Sequence, residues 1–292
     1  MKNMKYSLHV CEACNYACKH CFSVFEEPKM RPLTDWQQIL DKIAAYDPEA
    51  QINFAGGEPT LYPYLKELIV YATEHGMRPS LITNGTRSLA YYTSIAPYLD
   101  TFGISVDSLV PEVSRRIGRC DNKGRVLTED ELSACFDSMR EKNPDLRIKV
   151  NTVVNTANKS DESLLDAVQR WNVNRWKILR CKNFVCDTVD NTSCCVTKEE
   201  FYAYAQRVLQ RFNLSLPDGH VLYKTAEDHE IIVEETLSGA YIFVDPLGNL
   251  LENISDNRHR TVANLLTDDM HIAMQRLHFD EELYHARYRE VS

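Results

Sequence analysis

Three thiols share one short stretch, Cys14-Asn-Tyr-Ala-Cys18-Lys-His-Cys21, at C-x3-C-x2-C spacing. The alternating segment just before it, Ser7 to Val10, reads as a strand, so the thiols fall on a loop at a strand end. Such a loop can wrap three thiolates around one face of a [4Fe–4S] cluster and leave the fourth iron without a protein ligand. A structural cluster normally recruits a fourth cysteine, so three at this spacing point to an iron kept open for chemistry. Zinc sites favour two C-x-x-C pairs or added histidines. Cys11 with Cys14 does form one C-x-x-C, so the cysteines alone leave zinc open.

From this loop onward, short apolar runs alternate with helical patterns, the arithmetic of a parallel βα fold. Thr34 with Gln37 reads as a capping box opening a helix through about Tyr46. Gln51 to Phe54 is the second strand, and it runs into Ala55-Gly56-Gly57-Glu58-Pro59. Pro63 to His75 reads as a helix, Ser80 to Thr83 as the third strand, Arg87 to Ala96 as a helix, and Thr101 to Ser105 as the fourth strand. Asp121 to Gly124 is a turn, and Thr128 with Glu131 caps the next helix. The fifth strand is Arg147 to Val154, followed by a helix from Ser160 to Trp171 and a sixth strand from Trp176 to Leu179. Thr197 with Glu200 opens a helix to about Phe212. Six such units are too few for a closed eight-stranded barrel, so the expectation is a partial (β/α)6 barrel over residues 1–213. Residues 214–292 form an extension that closes the open side. Within it, Ala240 to Leu250 reads as a hairpin around Pro246 to Gly248, and Thr267 to Leu277 as a helix with two acids in its first turn.

A chain of 292 residues can bury a sizeable core. Its net charge of −9 argues against a generic binder of nucleic acid or anionic membranes. An anionic substrate must therefore meet a local positive patch. Ten cysteines would suit a disulfide-rich secreted protein, but Met1 to Tyr6 is short and polar. No apolar run reaches transmembrane length either. Reduced thiols in the cytoplasm, away from any membrane, are the expectation.

In parallel βα folds the working groups gather at the C-terminal strand ends. The cysteine loop, Gly56-Gly57-Glu58, Asn84, and Ser105 with Asp107 all fall there. Lys149 and Asn151 share one parity on the fifth strand, as Arg175 and Lys177 do at the sixth. A charged group on the helix-covered face is costly without a partner, whereas an incomplete barrel leaves a polar lumen open. Three cations converging there suit a multiply charged anion such as a triphosphate. The spacing equally allows these residues to sit at solvated strand termini.

Several stretches in chain order, from the cysteine loop with Phe22 and Ile52-Asn-Phe-Ala-Gly-Gly-Glu-Pro59 to Leu81-Ile-Thr-Asn-Gly-Thr86, resemble the viperin family of radical S-adenosylmethionine (SAM) enzymes. The likeness continues through Tyr98 to Ser108, Ile117-Gly-Arg119, Lys149 to Asn155, Arg175-Trp-Lys177, Ala240 to Asp245 and Phe279-Asp-Glu-Glu282. It implies a [4Fe–4S] cluster on Cys14, Cys18 and Cys21, with SAM chelating the open iron and releasing a 5′-deoxyadenosyl radical on reduction. The resemblance further implies that Gly56, Gly57, Glu58 and Asn84 serve the cofactor, Glu58 meeting the SAM amino group, with Ser105 and Arg119 at its methionine end. Lys149, Arg175 and Lys177 would clamp a triphosphate, Asn151 would touch the nucleotide, and Tyr241 matches a tyrosine of the closing segment. The implied reaction converts CTP, or UTP or GTP in prokaryotic relatives active in anti-phage defence, to the 3′-deoxy-3′,4′-didehydro analogue, a chain terminator. A reductant such as flavodoxin or ferredoxin and iron–sulfur assembly machinery follow as partners.

Two departures stand out: the amphipathic membrane helix of animal members is missing, and so is their tryptophan-ended tail, since this chain ends Arg289-Glu-Val-Ser292. A different route of cluster delivery is the expectation. Cys120, Cys135, Cys181 and Cys186 read as packed or free thiols. Cys194-Cys195 offers half of an auxiliary cluster in a peptide-modifying enzyme, but no cysteine follows it. His9 reads as a hydrogen-bonded core histidine, and Tyr202 and Tyr204 as packing residues. The rivals to a nucleotide dehydratase are a peptide-modifying radical enzyme, with more than one cluster per chain, and a colourless zinc module.

Overall fold

Apolar residues on alternate positions set the first strand, β1 (Lys5–Cys11), with Tyr6, Leu8 and Val10 fully buried under the helices. Lys5, Ser7 and His9 take the opposite face. The computed structural model describes residues 3–21, 30–185, 189–215, 222–225, 229–235, 241–255 and 258–286. The chain continues through α1 (Leu33–Tyr46), β2 (Gln51–Gly56), α2 (Leu65–Glu74), β3 (Arg78–Thr83), α3 (Leu89–Ile95) and β4 (Thr101–Ser105). Next come α4 (Pro111–Ile117), α5 (Glu129–Lys142), β5 (Arg147–Val154), α6 (Ser163–Arg170), β6 (Arg175–Arg180) and α7 (Lys198–Arg211). The helices cover one face of the sheet through helical-period stripes, such as Trp36, Ile39, Leu40 and Ile43 on α1 and Leu132, Cys135, Phe136 and Met139 on α5. Strands β1 to β6 pair in sequence order, all parallel.

The capping boxes at Thr128–Glu131 and Thr197–Glu200 are present as expected. The one at Thr34 is not: α1 begins at Leu33, after Pro32, with no side-chain cap, so Thr34 already lies inside the helix. Pro32, extended at ψ 152, sets the entry in its place. The short α4 was not foreseen; it has Pro111 at its first position and Gly118 in the left-handed conformation at its C-cap.

The extension differs most from expectation. Its strands β7 (Leu222–Lys224), β8 (Glu230–Glu234), β9 (Ile242–Val244), β10 (Asn249–Ser255) and β11 (Arg258–Asn264) join the same sheet, in the order β11-β10-β9-β1-β2-β3-β4-β5-β6-β8-β7. Strand β8 runs parallel to β6 and β9 parallel to β1, so the extension adds a parallel strand at each edge of the six-stranded core. The hairpin at Pro246 to Gly248 is the β9–β10 turn, with Gly248 at φ +78. Two short helices, α8 (Met270–Arg276), capped by Asp269, and α9 (Glu281–Ala286), end the described chain. Tyr241, just before β9, donates hydrogen bonds to both oxygens of Glu234 at the end of β8, at 2.9 and 2.7 Å. This contact links the added strands β8 and β9 across the lumen face of the sheet, on which strand parity places Lys5, Lys149 and Lys177. Among the described residues, no helix is long and apolar enough to cross a membrane.

Candidate active site

The cysteine loop leaves β1 at its C-terminal end and is seated by backbone contacts that only glycine permits. Gly57 N–H donates to the Cys11 carbonyl at 2.9 Å and Glu58 N–H to the Ala13 carbonyl at 2.7 Å. A Cβ on Gly57 would lie 2.3 Å from the carbonyl oxygens of Glu12 and Ala13. One on Gly56, at φ +133, would lie 2.3 Å from the Cys11 carbonyl oxygen, and one on Gly118, at φ +84, would lie 2.2 Å from that of Ala17. The close approach made by Gly56 and Gly57 is therefore to the cysteine loop itself. Gly57→Ala is expected to displace the loop and lower the iron content after anaerobic reconstitution, with the helical circular-dichroism signal retained. Iron content equal to the parent's would refute this seating role.

Glu58 and Asn84 reinforce the same junction. Glu58 is fully buried. Its Oε1 accepts from Thr60 N–H (3.1 Å), Thr60 Oγ1 (2.6 Å) and Thr83 Oγ1 (2.7 Å), and its Oε2 from Asn84 N–H (2.7 Å). Burial pushes the Glu58 carboxyl upward, against the pull of these donors. Asn84 donates to Asn15 Oδ1 at 2.8 Å and accepts from the backbone and hydroxyl of Thr86. Both side chains line the same cavity as Cys14, Cys18 and Cys21 and also tie strand ends to the cysteine loop.

Cys14, Cys18 and Cys21 line one cavity of about 250 Å³ together with Gly57, Ser105, Arg119, Val153 and Leu179. Among the described residues, no three Cys, His, Asp or Glu side chains already stand at coordinating geometry. The donor chemistry nonetheless fits a cationic cluster. Burial raises the thiol of Cys14 and pushes that of Cys18 up to about 12, so a neighbouring positive metal centre is what would hold them as thiolates. Cys11 is excluded from that set: it is fully buried, its thiol donates to the Glu58 carbonyl at 3.3 Å, and burial holds it up at about 12. Phe22 lies outside the described residues.

Arg119 reaches the cavity from beyond α4, its guanidinium paired with the buried carboxylate of Asp107. Desolvation opposes its charge, but Asp107 more than restores it. Asp107 is fixed in turn by Val153 N–H at 2.8 Å. Buried His20 lies 3.6 Å from the same carboxylate and is driven down to about 4 by desolvation. Asp107 and His20 carry no mark in the sequence beyond Asp107's place after a strand end.

Below this cavity the lumen is cationic. Ser105, Asn151 and Lys177 stand at one level of the sheet, with Lys149 and Arg175 one step nearer the strand N-termini. The expected residues do converge, but not as free charges. Arg175 pairs with Glu230, which also takes Arg147 at 3.2 Å, and Lys177 pairs with Glu234 and with the Tyr241 hydroxyl. Lys177 also sits 4.8 Å from the centre of the Tyr241 ring, and that ring stacks on Phe243 at 5.5 Å. The two glutamates carry no local sequence signal, because β8 is a short strand between segments without a clear period. Lys149 has no carboxylate within ion-pair distance among the described residues. Burial, then Lys177, Lys5 and Arg175, hold its ammonium well below the usual lysine range. Asn151 Oδ1 is buried with no partner among the described residues, an acceptor left for a ligand.

The remaining assignments sort simply. His9 is not a core residue: it faces the lumen, edge-on to Phe243 at 5.5 Å, with burial holding it at about 4. Tyr204 is buried packing, and Tyr202 donates to Glu235 at 2.9 Å. No disulfide joins Cys120, Cys135, Cys181, Cys194 or Cys195, though the Cys181 and Cys195 sulfurs lie 3.8 Å apart. Cys186 and the tail Arg289 to Ser292 lie outside the described residues.

Residues 8–168 match the family model described as the radical SAM superfamily. The chain is 36% identical to an S-adenosylmethionine-dependent nucleotide dehydratase of Selenomonas ruminantium, over 97% of this chain and 98% of that one. It is 30% identical to a protein of the same description from Psychrobacter lutiphocae, over 100% of this chain and 96% of that one. Among solved structures it is similar in fold to native anSMEcpe with bound AdoMet and Cp18Cys peptide, at TM-score 0.67, 12% identity, 93% of this chain and 80% of that one. Streptococcus suis SuiB bound to S-adenosylmethionine is similar at TM-score 0.65, with 16% identity over 97% of this chain and 67% of that one.

Proposed function

The chain belongs to the radical SAM superfamily, and we propose that it is a nucleotide dehydratase acting on a nucleoside triphosphate, CTP or alternatively UTP or GTP. Its product is the 3′-deoxy-3′,4′-didehydro analogue, a chain terminator suited to defence against phage. The observation that carries this reading is that the thiol-lined cavity and a group of cationic side chains stand on one face of the same strands. Ser105, Val153 and Leu179 line the first, and Lys149, Asn151, Arg175 and Lys177 lie further down the same strands. The likeness to dehydratases over nearly the whole chain supports it.

Cys14, Cys18 and Cys21 would hold the cluster, and Gly56, Gly57, Glu58, Asn84, Ser105 and Arg119, which line the same cavity, would serve SAM. When bound, the pair supplies a carbon radical able to abstract hydrogen. The protein's own work is placement. Cations below draw the triphosphate down the lumen, which leaves the ribose at the level of Ser105 and Asn151, next to the cofactor cavity. The Tyr241–Glu234 contact closes the open side and keeps water out. The ribose loses its 4′ hydrogen as an atom and its 3′ hydroxyl as water, and one electron and one proton balance the ring alkene. Residues 1–213 supply the catalytic barrel and 214–292 its closure, with reducing equivalents from a flavodoxin or ferredoxin.

The test is anaerobic turnover of a 4′-deuterated triphosphate with SAM and dithionite. Deuterium should appear in 5′-deoxyadenosine, and the nucleotide product, free of deuterium, should weigh one water less than the unlabelled triphosphate. Transfer from a 3′- or 5′-deuterated substrate instead would overturn the mechanism.

A further inference from the structure

We infer that Lys5 is a further substrate-binding residue, the ligand of the terminal phosphate, and that it makes the enzyme prefer a triphosphate to a diphosphate. The inference rests on the nucleotide reading above and adds a residue that lies outside the Lys149, Arg175 and Lys177 set.

Strand parity puts the Lys5 side chain in the lumen. Tyr6, Leu8 and Val10 are buried on the helix side of β1. On the lumen side Ser7 accepts from Asn53 Nδ2 at 3.2 Å, and His9 meets Phe243. The meeting of the sheet edges at Tyr241 and Glu234 brings β1 opposite β6, so Lys5 faces the three cations from across the lumen. Its ammonium is desolvated and feels Arg175 most strongly among the charges around it. Asp100 acts in its favour, and Lys177 and Arg78 act against it. Lys149 in turn feels Lys177, Lys5 and Arg175 against its charge and Glu234 in its favour. Glu230 and Glu234 match Arg175 and Lys177. Among the described residues, no carboxylate stands within ion-pair distance of Lys5 or Lys149, so two desolvated lysines lack a counter-charge that an anion would supply.

Position along the strand assigns the phosphate. Lys5 opens a strand of 7 residues that Cys11 closes, roughly 20 Å at about 3.3 Å per residue. It therefore stands at the far end of the lumen from the cysteine loop, below the level of Asn151 and Lys177. A nucleotide with its ribose at the cofactor cavity and its phosphates directed down the lumen meets Lys149 and Lys177 first and Lys5 last. The main-chain N–H of Lys5 donates to the Tyr284 hydroxyl at 3.1 Å, so exchanging the side chain leaves the strand anchored.

The experiment is titration calorimetry on reconstituted protein without reductant. The ligands are whichever of CTP, UTP and GTP binds the parent, its diphosphate, and inorganic tripolyphosphate. Lys5→Met should weaken the triphosphate by about ten-fold or more and the diphosphate by less than about two-fold. Lys5→Arg should keep most of the discrimination. Unchanged triphosphate affinity in Lys5→Met, in protein with the parent's thermal midpoint and iron content, overturns the inference, as does equal loss for tri- and diphosphate. If Lys5→Met is unstable, Lys5→Gln is read in the same way. Were the parent to bind no triphosphate and no tripolyphosphate, the nucleotide reading itself would fall. Parent turnover with an indifferent Lys5 would remove Lys5 alone.

Discussion

Alanine at any one of Cys14, Cys18 or Cys21 is expected to reduce 5′-deoxyadenosine formation to background and to bleach the brown colour of the reconstituted protein. Two thiolates cannot hold a cluster that keeps one iron open for SAM. Among the described residues, no other cysteine is placed to take over. Cys11, three residues before Cys14, is fully buried with its thiol turned to the Glu58 carbonyl. Cys195 sits beside Cys181, away from the thiol-lined cavity. Cys195→Ala should therefore leave the iron content at the parent's value. Full activity in Cys14→Ala would mean that the ligand set is wrong and that the loop can turn Cys11 outward. Loss of about one cluster of iron in Cys195→Ala would mean that a second centre exists.

Much of this was legible in the chain because the signals are local. Apolar alternation places β1 to β6, and the helical stripes place the layer that covers them. Side-chain parity alone puts Lys149, Asn151 and Lys177 on one face of adjacent strands. The extension was not legible in the same way. Strands β7 and β9 have only three residues each, too few for a period to show, and the pairing of β9 with β1 spans most of the chain. The two glutamates that neutralise Arg175 and Lys177 lie on that extension, so their partners read as free cations. Glu58 and Asn84 were legible as polar groups at strand ends, and both line the thiol-lined cavity. Their second task, joining strand ends through Thr60, Thr83 and Asn15, leaves no local signal. Lys5 was passed over because it stands near the chain's start, where a lone lysine ordinarily reads as solvated.

Lys149→Ala is expected to raise the Michaelis constant for the triphosphate by about one to two decades while SAM binding survives. A charge-assisted hydrogen bond contributes roughly 1.5–3 kcal/mol, which is a factor of that size. SAM should be indifferent, because Ser105 and Arg119 lie on other elements at the top of the cavity. Lys149 is a cleaner probe than Lys177. Removing Lys177 would also strand the buried Glu234 carboxylate, and the lost affinity would then include a new repulsion of phosphate. Lys149 also predicts a pH dependence whose sign follows from its surroundings. Burial and the cations Lys177, Lys5 and Arg175 depress its ammonium in the unliganded protein. A polyanion arriving beside it restores the charged form, so binding takes up protons once pH exceeds the depressed value. Affinity should accordingly fall as pH rises through that range, and part of this slope should vanish in Lys149→Met. Lys5, lowered to about 7 by burial, Arg175, Lys177 and Arg78 against the pull of Asp100, supplies the remainder. Turnover of nucleoside and triphosphate at equal efficiency, or a Michaelis constant unmoved in Lys149→Ala, would remove the phosphate clamp and leave the lumen without a substrate.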